Sequence, residues 1–200
     1  MRRSYKIAHT LLAGLVRFLF RVKVTGLENE PGKCSVLLCS NHVTLLDPIC
    51  INAVLRETEP FYMAKKELFK IPIVKSLLKA LGAYPVNRGS GDIGAIHKTI
   101  DLLKNGNCVG IFPQGTRCKG IAPEDTKFKN GAALVLSKVS VPVLPVRVKI
   151  KNNRWCPFRK VEIVIGKQIP ENELAFNPDA PKNEEYARLT ELIRSRILEL

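Results

Sequence analysis

Asn41-His42-Val43-Thr44-Leu45-Leu46-Asp47 has the residue types and spacing for proton chemistry. An imidazole titrates near neutral pH, so His42 could take a proton from a weak nucleophile. A carboxylate five residues on, Asp47, could hold that ring in one tautomer. The other reading of the pair is structural: a satisfied histidine, and an aspartate capping a helix that Pro48 begins. The segment follows an apolar run, Ser35-Val36-Leu37-Leu38-Cys39, which puts His42 at the mouth of a buried strand. Residue types alone leave both readings open.

A second loop, Phe112-Pro113-Gln114-Gly115-Thr116-Arg117, again ends an apolar run. Gly115 lets an anion approach backbone N–H groups closely. Arg117 can hold a phosphate through two parallel hydrogen bonds. An ordinary turn with a solvated arginine fits the same residues. Asn87-Arg88-Gly89 offers another guanidinium after a short strand, and Lys65-Lys66 follows Met63-Ala64 in the same way. Either could be a solvated charge. Taken together, the loops suggest a base and an anion cradle at one edge of a sheet.

The elements that must carry these loops can be read from periodicity. Strands are expected at 22–24, 34–39, 61–64, 84–86, 107–112, 141–150 and 161–165. Helices are expected at 45–56, 91–105, 131–139 and 183–200, and over 66–80 with a break at Pro72. Long connections remain at 113–129 and 171–182. Strands alternating with helices indicate an α/β fold: a single domain with a mostly parallel central sheet flanked by helices. Sites in such sheets lie beyond the carboxyl ends of the strands, where both opening loops fall.

At the N-terminus, Ile7 to Phe20 is mostly apolar but interrupted by Arg17. Fourteen helical residues rise about 21 Å, short of the roughly 30 Å hydrocarbon core. No small-residue cleavage site follows, so a signal peptide is not expected. At 100° steps Arg3, Lys6, Thr10, Arg17 and Arg21 form a basic stripe. Ile7, Leu11, Leu12, Leu15, Phe18, Leu19 and Val22 lie on the far side. This predicts an amphipathic membrane-interface helix over 1–22 and a second unit over 23–200. The alternative is a terminal helix packed on its own domain.

The composition narrows the partners. Of 200 residues, 32 are Lys or Arg and 18 Asp or Glu, a formal charge of +14. Such a chain should seek nucleic acid, an anionic membrane surface or phosphorylated substrates. Aromatic residues are only 6%, and no stacking platform or nucleic-acid motif is present, which argues against nucleic acid. Six cysteines without metal spacing, several in apolar runs, predict buried reduced thiols and a cytosolic compartment. The three histidines, His9, His42 and His97, are too scattered to suggest a metal site.

Four segments in order resemble the 1-acyl-glycerol-3-phosphate acyltransferase (lysophosphatidic acid acyltransferase) family. Asn41 to Asp47 matches its N-H-x4-D motif, and Gly82-Ala83-Tyr84-Pro85-Val86-Asn87-Arg88 its G-x-x-x-V-x-R segment. Phe112 to Arg117 matches F-P-E-G-T-R, with Gln114 in place of Glu. Val141-Pro142-Val143-Leu144-Pro145-Val146 matches V-P-x-x-P-V, and Ala64-Lys65-Lys66-Glu67-Leu68 an A-K-x-E-L segment. The motifs span roughly residues 35 to 147.

The resemblance implies acyl transfer from a thioester to the sn-2 hydroxyl of lysophosphatidic acid, giving phosphatidic acid. His42 would be the general base and Asp47 its orienting partner. Lys65, Arg88, Gln114, Gly115, Thr116 and Arg117 would bind substrate, with a backbone N–H near Gly115 as oxyanion donor. Lys127 and Lys129 are weaker phosphate candidates. The donor would be an acyl-carrier protein or coenzyme A thioester, and no metal or other cofactor is implied. A peripheral or monotopic position on the cytoplasmic face of the membrane is expected. Gln114 keeps an acceptor and adds donors but carries no charge, so activity should survive. Leu68, Phe69, Ile71, Ile73, Leu77 and Leu78 could line an acyl channel, though core packing is the simpler expectation for most. Two rivals remain: an acyltransferase with another acceptor, such as glycerol-3-phosphate or another lysophospholipid, and a basic, non-catalytic binder of membranes or nucleic acid.

Overall fold

A computed structural model describes residues 10, 13–87, 93–156 and 158–200. A helix described over 13–19, α1, is followed by β1 (Lys23–Thr25) and β2 (Val36–Ser40). Then come α2 (Asp47–Val54), β3 (Phe61–Lys65), a 3-10 turn at Lys66–Lys70 and α3 (Pro72–Ala80). Next are β4 (Ala83–Val86), α4 (Ile93–Lys104), β5 (Cys108–Ile111) and α5 (Gly131–Leu136). The chain ends with β6 (Val143–Ile150), β7 (Val161–Ile165) and α6 (Lys182–Leu198). These bounds follow the expected elements closely. Pro72 separates the 3-10 turn from α3 and occupies the first turn of α3, where its missing N–H costs no intrahelical bond.

Among the described residues the strands form one sheet in the order β1-β7-β6-β2-β5-β3-β4. β6, β2, β5, β3 and β4 run parallel, whereas β7 is antiparallel to β6 and parallel to β1. β2 is buried from end to end. Leu38 turns to one face, with α1, α2 and the inner residues of β7, including Ile51, Val146 and Ile163. Leu37 turns to the other, with α4, α5 and α6, including Leu103, Val135, Leu189 and Ile193. A strand covered on both faces is apolar along nearly its whole length, as β2 is up to Ser40 and β5 is throughout.

Several expectations change. Pro72–Ala80 contains no buried residue, so Ile71, Ile73 and Leu77 are not core; Ile73 is 83% exposed. In α1 and the turn that ends it, Ala13, Val16 and Phe20 pack on the domain, while Leu15 and Phe18 are 53% and 75% exposed. The apolar face of this segment is therefore divided between the domain and the outside. Arg17, placed in the basic stripe, donates from Nε to the Ala53 carbonyl at 2.7 Å. Half of the expected interface helix, 1–9 with 11 and 12, lies outside the described residues. Among the described residues no helix is long and apolar enough to cross a membrane. Of the six cysteines, Cys39, Cys50 and Cys108 are buried, Cys34 and Cys118 half-buried and Cys156 exposed, so burial holds for only some of the thiols.

Candidate active site

The loop after β2 folds around one carboxylate. Asp47 Oδ2 accepts from the backbone N–H of Val43 at 2.6 Å and of Thr44 at 2.8 Å. The same oxygen lies 2.8 Å from His42 Nδ1. Asp47 Oδ1 accepts from the Thr44 hydroxyl at 2.7 Å. Asp47 therefore does not cap α2, whose N-cap residue is Leu46 with no side-chain cap bond. Its carboxylate instead draws the preceding residues into a turn, which is why Thr44 and Asp47 stand three apart. With its oxygens committed as acceptors, Asp47 fixes the proton of His42 on Nδ1 and leaves Nε2 as the acceptor nitrogen. Phe112 stacks on the imidazole, ring centroids 4.1 Å apart, and His42 is only 6% exposed.

The loop after β5 is clasped to this turn. β5 pairs with β2 through Val36 to Cys39, so the two loops leave the sheet side by side. Gln114 Oε1 accepts from the His42 N–H at 2.5 Å, and its Nε2 donates to Thr126 Oγ1 at 2.6 Å. Cys118 N–H donates to the His42 carbonyl at 2.8 Å. Gln114 is 2% exposed with both ends of its amide engaged by the protein, so its job is to lock the loops rather than to meet substrate. Asn41, fully buried, exchanges hydrogen bonds of 2.9 and 2.8 Å with the Val148 backbone and ties the first loop to β6. The Val141–Val146 motif begins β6 inside the sheet, with Leu144 and Val146 in the core.

A family model for "Acyltransferase" matches residues 21–149, a span that includes both clasped loops and all but the last residue of β6. The chain belongs to the acyltransferase family. It is 31% identical over 198 residues to a Bacillus subtilis protein named 1-acyl-sn-glycerol-3-phosphate acyltransferase, covering 98% of this chain and 96% of that one. It is 36% identical over 157 residues to the protein of that name from Borreliella burgdorferi, covering 76% of this chain and 58% of that one. The crystal structure of the 1-acyl-sn-glycerophosphate acyltransferase of Thermotoga maritima superposes with a TM-score of 0.67 at 26% identity, covering 100% of this chain and 84% of that one.

Around the pair, the acyltransferase fold places the remaining candidates unevenly. Gly115 has φ +70, a conformation suited to glycine, and a Cβ there would lie 3.1 Å from Lys129 Cδ. Its own N–H is spent on the Phe112 carbonyl at 2.9 Å, so Gly115 itself is no oxyanion donor. Thr116 and Arg117 follow on the exposed limb of the loop. They line a cleft of ≈ 600 Å³ with Val43, Leu45, Lys119 and Trp155. Lys65 is exposed at the end of β3, beside β5, and lies 3.8 Å from Glu67 Oε2. Lys127 is exposed on the long loop. Arg88 lies outside the described residues.

A second cavity of ≈ 780 Å³ opens between the ends of β3 and β4 and the helices α4 and α5, lined by Met63, Val86, Ile96, Ile100, Leu134 and Lys129 among others. Sequence reasoning offered Leu68, Phe69, Ile71, Ile73, Leu77 and Leu78 as candidates for an apolar lining, with core packing the simpler expectation for most, and none of them lines this cavity. It also missed Thr44, Phe112, Lys119 and Trp155. The Thr44–Asp47 spacing was a visible signal for an aspartate-closed turn. Nothing local marks Trp155, which lines the cleft from a distant loop and packs on Phe20, ring centroids 5.7 Å apart.

Proposed function

We propose that this enzyme transfers a fatty acyl group from a thioester to the sn-2 hydroxyl of 1-acyl-glycerol-3-phosphate, making phosphatidic acid for phospholipid synthesis. The observation that carries the reading is the 2.8 Å contact of His42 Nδ1 with Asp47, beside an exposed cationic loop. The names of the relatives support the same substrate.

In this reading Nε2 of His42 takes the acceptor's hydroxyl proton as that oxygen attacks the thioester carbonyl. A C–O bond forms, and collapse of the tetrahedral intermediate breaks the C–S bond. The proton then passes from Nε2 to the leaving thiolate. Asp47 stays ionised and stabilises the imidazolium. The N–H groups of Thr116 and Arg117 are the oxyanion donors, each contributing about 3 kcal/mol in a site of this kind. Arg117, Lys65 and Arg88, with Lys119, bind the phosphate. The acyl chain occupies the apolar groove of ≈ 780 Å³, which Lys129 joins to the Gly115 turn.

The donor is an acyl-carrier protein or coenzyme A thioester; both are anionic, which suits a chain of charge +14. No metal or cofactor enters the reaction. The enzyme works on the cytoplasmic face of the membrane, held peripherally or monotopically by residues 1–22. The outward Leu15 and Phe18 support that anchorage.

The test is incubation of the purified chain with lysophosphatidic acid and each donor class. Phosphatidic acid is the expected product, and His42→Ala should lower turnover about 10²–10⁴-fold with the fold intact. Folded protein that forms no product with either donor, or acylates glycerol-3-phosphate in preference, overturns the assignment.

A further inference from the structure

We infer that α3 is a second membrane-docking surface, separate from α1, that takes the head groups and upper acyl region of an anionic lipid leaflet. At 100° steps from Pro72, Val74, Leu78 and Leu81 share one sector of the helix. Val74 and Leu78 are half-buried and Leu81 is buried, so this sector faces the domain. The adjoining sector holds Ile73 and Leu77, which with Ile71 are 83%, 37% and 51% exposed. Lys75 and Lys79 stand on the remaining side, both exposed. Residues 65–81 carry five lysines (65, 66, 70, 75 and 79) against one acid, Glu67.

Single exposed apolar side chains are ordinary; Ile73 and Leu77 one turn apart on one flank of a helix, with Lys75 and Lys79 on the other flank, are not. An anionic leaflet satisfies both features. Isoleucine and leucine enter the acyl boundary, while lysine stems lie along it and their ammonium groups reach the lipid phosphates.

The sheet order gives the surface a purpose. α1 lies against the β7 side, where the Leu19 and Phe20 carbonyls accept from Phe158 and Val161. α3 leads into β4, at the opposite edge of the sheet. The loops after β2, β5 and β3 leave the sheet between these two supports. A leaflet touching both would hold the mouth of the site against the lipid that supplies the acceptor, a role that rests on the function proposed above.

The full chain is tested for co-sedimentation with phosphatidylcholine vesicles with and without phosphatidylglycerol. Ile73→Ser with Leu77→Ser should lower partitioning about tenfold or more on anionic vesicles. Lys75→Glu with Lys79→Glu should lower it at least about tenfold on anionic vesicles and leave phosphatidylcholine binding unchanged. Both variants should turn over a monomeric short-chain acceptor within about twofold of the unaltered chain while losing activity on vesicle-borne acceptor. Unchanged vesicle binding in either variant overturns the inference. So does a loss of soluble-acceptor turnover, or a selective loss of binding to acidic acyl-carrier protein with vesicle binding intact. Partitioning is read without turnover, so its failure and that of the proposed activity are distinguishable.

Discussion

Replacing Asp47 by Asn removes one charge while the site can keep its shape. Oδ2 of Asp47 receives three donors: the N–H groups of Val43 and Thr44 and Nδ1–H of His42. They force the Asn carbonyl oxygen into that position, so the His42 tautomer is kept. The new NH2 then faces Thr44 Oγ1, which can accept it in place of donating to Oδ1. The expected stability loss is about 1–3 kcal/mol, because bonds to an ionised acceptor become bonds to a neutral one. The rate loss comes from the missing charge. With Nδ1 and Oδ2 at 2.8 Å, the delocalised charges of an imidazolium–carboxylate pair centre about 4 Å apart. At an effective dielectric constant of about 20 their attraction is about 4 kcal/mol, or roughly 10³-fold in rate. Asp47 is buried behind His42, so the loss should fall on kcat and leave KM nearly unchanged. Steady-state kinetics with a soluble acceptor, paired with denaturant unfolding, read both quantities. A kcat within about tenfold of the unaltered enzyme, in a variant of near-normal stability, would refute the role given to the carboxylate charge.

Gln114→Ala should cost about 1–3 kcal/mol in denaturant unfolding and slow turnover, since it leaves the buried His42 N–H without its acceptor. Gln114→Glu keeps that acceptor but requires the Thr126 hydroxyl to swing away from the Pro123 carbonyl, so it should cost less than Ala and retain activity. Asn41→Ala should destabilise by about 2–4 kcal/mol, because it orphans the N–H and carbonyl of Val148; a melting temperature unchanged from the parent would contradict this. In thiol labelling at neutral pH, Cys156 should react first. Cys39, Cys50 and Cys108 should stay silent until unfolding, their thiols pushed up by burial, Cys50 to about 12 with help from the Asp47 carboxylate.

Where an element depends on its own residues, the sequence was legible. Val161–Ile165 alternates buried and half-buried positions, and its strand ends where expected. Pro72 and Gly82 bound α3 as their backbone chemistry requires, Gly82 with φ +79. Burial was harder to read. An apolar stripe shows that a helix has two faces, but not whether a neighbour covers the apolar one. That is why Ile73 and Leu77 looked like core and are not. The same limit applied to Gln114, whose exchange for the family's Glu drew attention to substrate charge. Its partner, the His42 N–H, is 72 residues away and reachable only through the β2–β5 pairing.

By itself the sequence determined the α/β class and the position of each loop at a strand end, and it offered the pairing of His42 with Asp47 as one of two readings. These are short-range matters: a carboxylate five residues from an imidazole needs only one turn to reach it. The tertiary structure alone decided the strand order, the reversal of β7 and the clasp between the two motif loops. It also decided which apolar side chains, those of α3 and α1, were left facing outward. Such choices depend on which surfaces find a cover, and a cover is supplied by residues far along the chain that leave no local trace.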